Sequence, residues 1–135
     1  PHPGNRDSST SRGLGDVYKR QIRKSVLAFN LPSVELINYE ADDLIATYTE
    51  QILKKDAKVT IVSSDKDLMQ LYKKNVRIYD PMKNKLITSN DVAEKFGVDP
   101  KKVVDVQSLA GDTSDNVPGV PGIGIKTAAE LINKY

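Results

Sequence analysis

Seven acidic residues fall in three short clusters, and their types and spacing suggest a site for cations. Glu40, Asp42 and Asp43 lie within four positions, Asp65 and Asp67 flank Lys66, and Asp112 and Asp115 sit three apart. Carboxylates this close repel one another, and a divalent cation would relieve the repulsion. The chain has no cysteine and its one histidine is His2, so neither thiolate nor imidazole chemistry is expected. Oxygen donors alone favour hard ions such as Mg²⁺ or Mn²⁺. Two such ions ~3.5–4 Å apart suit phosphodiester hydrolysis, since bound water is acidified without a histidine base.

Each cluster also has a structural reading. Acidic first turns complement a helix dipole, which suits residues 40–43. Ser64 and Asp67 fit an acidic capping box. Residues 111–116 suit an Asx-turn loop. A calcium-binding EF-hand is rejected, because Val117 stands at position six of the loop from Asp112 and Ile123 at position twelve. The conjunction of three clusters at element ends, in a chain without usable Cys or His, favours a carboxylate metal site.

The elements that must position these residues follow from periodicity. Residues 22–29 read as a helix ended by Asn30, and residues 34–37 as a short strand. Ala41, Leu44, Ile45, Tyr48 and Ile52 recur at helical spacing. Residues 58–62 are a β-branched run of buried-strand type. A short helix over 67–71 follows. Residues 76–80 and 85–88 predict a hairpin across Pro81-Met82-Lys83-Asn84. Helices are expected over 89–96, stopped by Gly97, over 100–110, opened by Pro100, and over 126–134. This order predicts an α/β fold with a parallel sheet flanked by helices, then a helical region.

Between the last two helices lies Gly119-Val120-Pro121-Gly122-Ile123-Gly124-Ile125-Lys126-Thr127-Ala128. It is not a P-loop, since Ile125 separates Gly124 from Lys126, and no strand precedes it, which also rejects a dinucleotide fingerprint. A helix-hairpin-helix fits: backbone N–H groups opening the second helix would hold a phosphate, with Lys126 and Thr127 beside it. The net charge of +2 does not itself argue for nucleic acid. Residues 1–21 account for all of it, and the remaining 114 residues carry 16 basic and 16 acidic side chains. No apolar run approaches the ~20 residues that span a membrane.

Glu40-Ala41-Asp42-Asp43, Ser64-Asp65-Lys66-Asp67, the stretch from Gly111-Asp112-Thr113-Ser114-Asp115-Asn116 to Gly124, and Lys126-Thr127-Ala128 together resemble the 5′-nuclease (flap endonuclease-like) family. They are most similar to its 5′–3′ exonuclease branch, found in bacterial DNA polymerase I. The resemblance implies a PIN-like α/β domain with a C-terminal helix-hairpin-helix. It implies a metal-dependent 5′–3′ exonuclease or flap endonuclease acting on 5′-flap, nicked or branched DNA in replication and repair, in the bacterial cytoplasm at the nucleoid. Glu40, Asp42, Asp65, Asp67 and Asp112 match the catalytic metal-site carboxylates, with Asp43 and Asp115 as further acidic positions, for two Mg²⁺ or Mn²⁺ ions. Backbone carbonyls of Leu109, Ala110, Pro118, Val120 and Ile123 match a K⁺ site. Gly122, Ile123, Gly124, Ile125, Lys126 and Thr127 match the contacts to the duplex backbone.

The family pattern begins with a strand bearing a metal-binding Asp and has another Asp before a basic arch, and nothing before Ile22 matches either. The expected division is a disordered or non-native leader over 1–21, part of the PIN-like domain over 22–98 and the hairpin region over 99–135. A truncated piece, inactive or nearly so alone, is expected, and a polymerase domain in the same parent chain is left open. A non-catalytic helix-hairpin-helix DNA-binding module and a PIN-type ribonuclease are the alternatives.

Overall fold

The computed structural model describes residues 8–135, with side chains from residue 15 onward except that of Asp16. The chain forms two compact units, one ending at Tyr39 and the other comprising Glu40–Tyr135.

In the first unit, helix α1 spans Ser8–Ala28. Asn30, at φ 55°, turns the chain out of the helix, with the Asn30 and Leu31 amides bonding back to Leu27 and Val26. The composition of residues 1–21 predicts disorder, yet helix covers 8–21. Once residues 22–28 form turns, adding further residues costs less than nucleation, and Lys19, Arg20 and Gln21 propagate a helix well. The expected strand over 34–37 is absent. That stretch pairs with no other strand and runs into a turn closed by the Tyr39 amide on the Leu36 carbonyl, and Val34, Leu36 and Ile37 are exposed. Arg23 and Glu35 form an ion pair that ties this segment to α1.

The second unit opens with helix α2, Ala41–Leu53. A three-stranded sheet follows in the order β1 (Val59–Val62), β2 (Val76–Asp80), β3 (Lys85–Ile87). β1 and β2 are parallel, with Val59 opposite Val76 and Val62 opposite Tyr79; β2 and β3 form the predicted antiparallel hairpin. The sheet is therefore mixed, with one parallel pair. β1 is an edge strand, and only Ile61 is buried in it, while Val62 is 64% exposed; the expectation of a strand buried on both faces is corrected. β2 alternates, with Val76 and Ile78 inward and Arg77 outward.

Helix α3 spans Ser89–Phe96. Its N-cap is Thr88, and Asp91 completes the capping box. Gly97 ends it at φ 74°, where an added Cβ would lie 2.7 Å from that of Ala129. A 3-10 turn, Pro100–Lys102, leads into α4, Val103–Ala110, which packs against α5, Ile125–Lys134. Ile61, Ile78, Phe96, Val103, Val106 and Ala128 belong to one continuous core shared by sheet and helices. No helix among the described residues is long and apolar enough to cross a membrane.

Candidate metal centre and nucleic-acid interface

The acidic loop after β1 is built by local hydrogen bonds. The Asp65 amide donates to Ser63 Oγ at 3.1 Å, and the Asp67 amide donates to Asp65 Oδ1 at 3.0 Å. Asp67 then begins a 3-10 turn, Asp67–Leu71, whose Leu68 and Met69 enter the core. The capping box expected from Ser64 does not form, because Asp65 takes the Asp67 amide and Ser64 Oγ donates to Asp80 instead.

The loop after α4 presents the third cluster. Asp112 and Val117 exchange both backbone hydrogen bonds, at 3.0 and 2.8 Å, closing a tight loop around Asp115. Gly111, at φ 70°, lets the chain leave α4, and an added Cβ there would lie 2.4 Å from the Gly119 nitrogen. The loop ends therefore meet only because side chains are missing at that contact. Asp112 Oδ1 accepts the Ser114 amide at 2.9 Å, as an Asx-turn requires.

Carboxylate oxygens of Asp67, Asp112 and Asp115 lie within 4.8 Å of one another. They line a cleft of about 260 Å³ together with Gln107 and Gly111. Asp67 and Asp112 are half-buried and Asp115 is exposed. An all-carboxylate donor set of this span fits a hard divalent ion. Asp42 lies outside this trio but senses the loop. Its carboxyl is pushed above the ordinary value, first by burial and then by the charges of Asp65, Asp67, Glu40 and Asp43. The N-terminus of α2 thus faces the loop after β1. Glu40 is the exposed N-cap of α2, and Asp43 accepts the Glu40 amide at 3.0 Å, so a capping bond engages the Asp43 carboxylate. Asp65 is exposed and contributes to the trio only through its bond to Asp67.

Two residues at the site have no role among the sequence expectations. Lys66 forms an ion pair with Asp112. The ammonium, and then the Ser114 amide, hold the Asp112 carboxyl below its usual range, and Asp112 in turn raises the Lys66 pKa. Gln107 Nε2 donates to Asp67 Oδ1 at 2.6 Å. Lys66 had a sequence signal, its place between two acidic residues; Gln107 had none beyond lying five positions before Asp112.

Between α4 and α5 the chain makes the expected hairpin. Pro121 and Gly122 occupy the centre of a turn closed by the Ile123 amide donating to the Val120 carbonyl at 3.0 Å, and Gly122 has φ 79°. The Val120 amide donates to the Leu109 carbonyl at 2.8 Å. Gly124 is the N-cap of α5 and supplies no side-chain cap, so the first amides of α5 are available to an anion. A second cleft, about 300 Å³, runs from Lys66 and Asp112 to Gly124 and Ile125. Asp112 lines both clefts and so links the acidic trio to the head of α5.

An α/β domain with carboxylates at its loop ends, followed by a helical hairpin, defines the class. The chain belongs to the 5′-3′ exonuclease family: the model of its N-terminal resolvase-like domain matches residues 16–97, and that of its C-terminal SAM fold matches residues 98–135. The chain is 58% identical over 114 residues to DNA polymerase I of Rhizobium leguminosarum, covering 84% of this chain and 11% of the polymerase. It is 45% identical to the 5′-3′ exonuclease of Aquifex aeolicus, covering 84% of this chain and 39% of that protein. The chain thus spans well under half the length of these curated relatives. In fold it is similar to the T5 D15 protein co-crystallized with metal ions, with a TM-score of 0.82 at 22% identity, covering 96% of this chain and 50% of that one. The first family match begins at residue 16, inside the stretch whose composition suggests a leader.

Proposed function

We propose that this chain provides a carboxylate metal centre and a duplex-holding hairpin for a 5′–3′ exonuclease or flap endonuclease that hydrolyses DNA at 5′ flaps, nicks or branches during replication and repair. The convergence of Asp67, Asp112 and Asp115 carries this reading. Asp42, Asp65 and Glu40 would complete the ligand set for two Mg²⁺ or Mn²⁺ ions, and Asp43 would act from outside it. The chemistry such ions supply is an acidified water and charge compensation at the phosphate.

The chain's own residues orient the substrate. Residues 122–127 would bind the phosphate backbone of the duplex through amides at the head of α5, assisted by Lys126 and Thr127. Carbonyls of Leu109, Ala110, Pro118, Val120 and Ile123 would offer a K⁺ site beside that phosphate. Those of Leu109 and Val120 already accept one N–H each and retain a second lone pair. The division of labour runs between residues 22–98, which carry most of the acids, and 99–135, which carry the hairpin. The bacterial relatives favour a place in the bacterial cytoplasm, at the nucleoid.

Asp65→Asn and Asp112→Asn, introduced into the complete parent protein, test the reading in a flap-cleavage assay with Mg²⁺. Lost cleavage with retained DNA binding is expected. Equal cleavage by the variants would reduce the chain to a binding module.

A further inference from the structure

The loop carrying Asp65 and Asp67 has a support outside the acidic clusters. Asp80 closes β2 and is only 3% exposed, the one charged side chain so deeply buried among the described residues. An ionised carboxylate removed from water must be compensated. Asp80 Oδ1 accepts Ser64 Oγ at 2.6 Å, the Met82 amide at 2.9 Å and the Lys83 amide at 3.2 Å, and the Lys83 ammonium lies 3.7 Å from Oδ2. The two amide bonds shape the turn into β3.

The bond from Ser64 does something else. It joins the C-terminal ends of the two parallel strands where the chain leaves the sheet for Asp65. The neighbouring Ser63 amide extends the ladder to the Tyr79 carbonyl at 3.0 Å, and Ser63 Oγ holds the Asp65 amide. Asp65 in turn holds the Asp67 amide, and the Asp67 carboxylate meets Asp112 and Asp115. Backbone and side-chain bonds therefore run without a break from the buried end of β2 to the acidic trio.

We infer that Asp80 and Ser64 are positioning residues for the carboxylates of Asp65 and Asp67, touching neither ion nor substrate. This rests on the metal centre proposed above. A metal site is only as well ordered as the groups that orient its ligands, and loss of such groups typically weakens metal affinity 10- to 100-fold.

The test is titration of the protein with Mn²⁺, read by the electron paramagnetic resonance of the free ion, beside thermal melts in EDTA. Ser64→Ala removes the strut but leaves the turn bonds of Asp80. It should weaken Mn²⁺ binding roughly 10-fold, while the metal-free protein stays folded with a melting temperature lowered only by the loss of one hydrogen bond to a charged group. Asp80→Asn keeps a carbonyl oxygen for Ser64 and both amides, and should bind Mn²⁺ nearly as the unsubstituted protein does. Unchanged affinity in Ser64→Ala, or equal weakening in Asp80→Asn, would overturn the positioning role while leaving the metal centre standing. No Mn²⁺ binding by the unsubstituted protein would overturn both.

Discussion

Gln107 on α4 donates through Nε2 to Asp67 Oδ1 at 2.6 Å, so a helix of the second family domain fixes a carboxylate of the first. The bond orients Asp67 toward Asp112, which the same helix delivers at its C-terminal end. Gln107→Leu keeps the volume and removes the amide. Mn²⁺ affinity should fall roughly 10-fold, and stability by about 1 kcal/mol, the ordinary net worth of such a hydrogen bond. Calorimetric titration and chemical denaturation measure the two. Unchanged Mn²⁺ affinity would mean that Asp67 is held well enough by the Asp65 bond and the buried Leu68 beside it.

Lys66 already neutralises part of the cluster through its ion pair with Asp112. A divalent ion arriving at Asp112 has to compete with that ammonium. Lys66→Met should therefore tighten Mn²⁺ binding and lower the metal-free melting temperature, because the three carboxylates then repel without an internal cation. Weaker Mn²⁺ binding in this variant would instead give the ammonium a supporting role when metal is bound.

Much of this arrangement was legible in the sequence, and the limit lies where local pattern ends. Helix α2, the β2–β3 hairpin and the Gly97 stop follow from short-range periodicity and turn residues, and they appear as expected. The acidic clusters were visible as clusters. What sequence spacing could not give is direction. Asp43 engages the Glu40 amide, Ser64 reaches to Asp80 rather than to Asp67, and Lys66 folds onto Asp112 forty-six positions away. Asp80 is, in the sequence pattern, only the last residue of a strand, and its burial gives it a further role. Residues 8–21 are helical although their Gly, Ser and charged content reads as disorder, and Leu14, Val17 and Tyr18 carry the helical spacing on to Ile22 and Val26. Residues 34–37 had strand-forming side chains but no neighbour to pair with.

The pH dependence of stability without metal has two components of opposite sign. Asp80, Asp91 and Asp112 have depressed pKa values, Asp80 through Ser64, Asp91 through Lys85 and Thr88, and Asp112 through Lys66. Their contribution is complete above the unfolded carboxylate pKa of about 3.9 and is lost as pH falls through their lower folded values. Asp42 is raised, so its ionised form destabilises the metal-free fold at neutral pH. Asp42→Asn should melt higher than the unsubstituted protein in EDTA at pH 7. The gain should shrink as pH falls through the raised pKa of Asp42, where the natural side chain also becomes neutral. Melts from pH 7 down to pH 2 check both parts, and a gain independent of pH would exclude charge repulsion as its cause.

Lys126 stands in the first turn of α5, beside amides that lack a side-chain cap. If it meets a DNA phosphate, Lys126→Ala weakens duplex binding regardless of base sequence and lowers the slope of log K against log salt by about 1. Fluorescence anisotropy across a salt series measures it. An unchanged slope would remove Lys126 from the phosphate contact.

The proposed metal centre stands on Asp67, Asp112 and Asp115 as its ligands. An anomalous difference map at the manganese edge, from crystals of the protein grown with Mn²⁺, tests it most directly. A peak is expected within coordination distance of these three carboxylates, with the Lys66 ammonium moved off Asp112. A map with no peak there, and Lys66 still paired with Asp112, would contradict it.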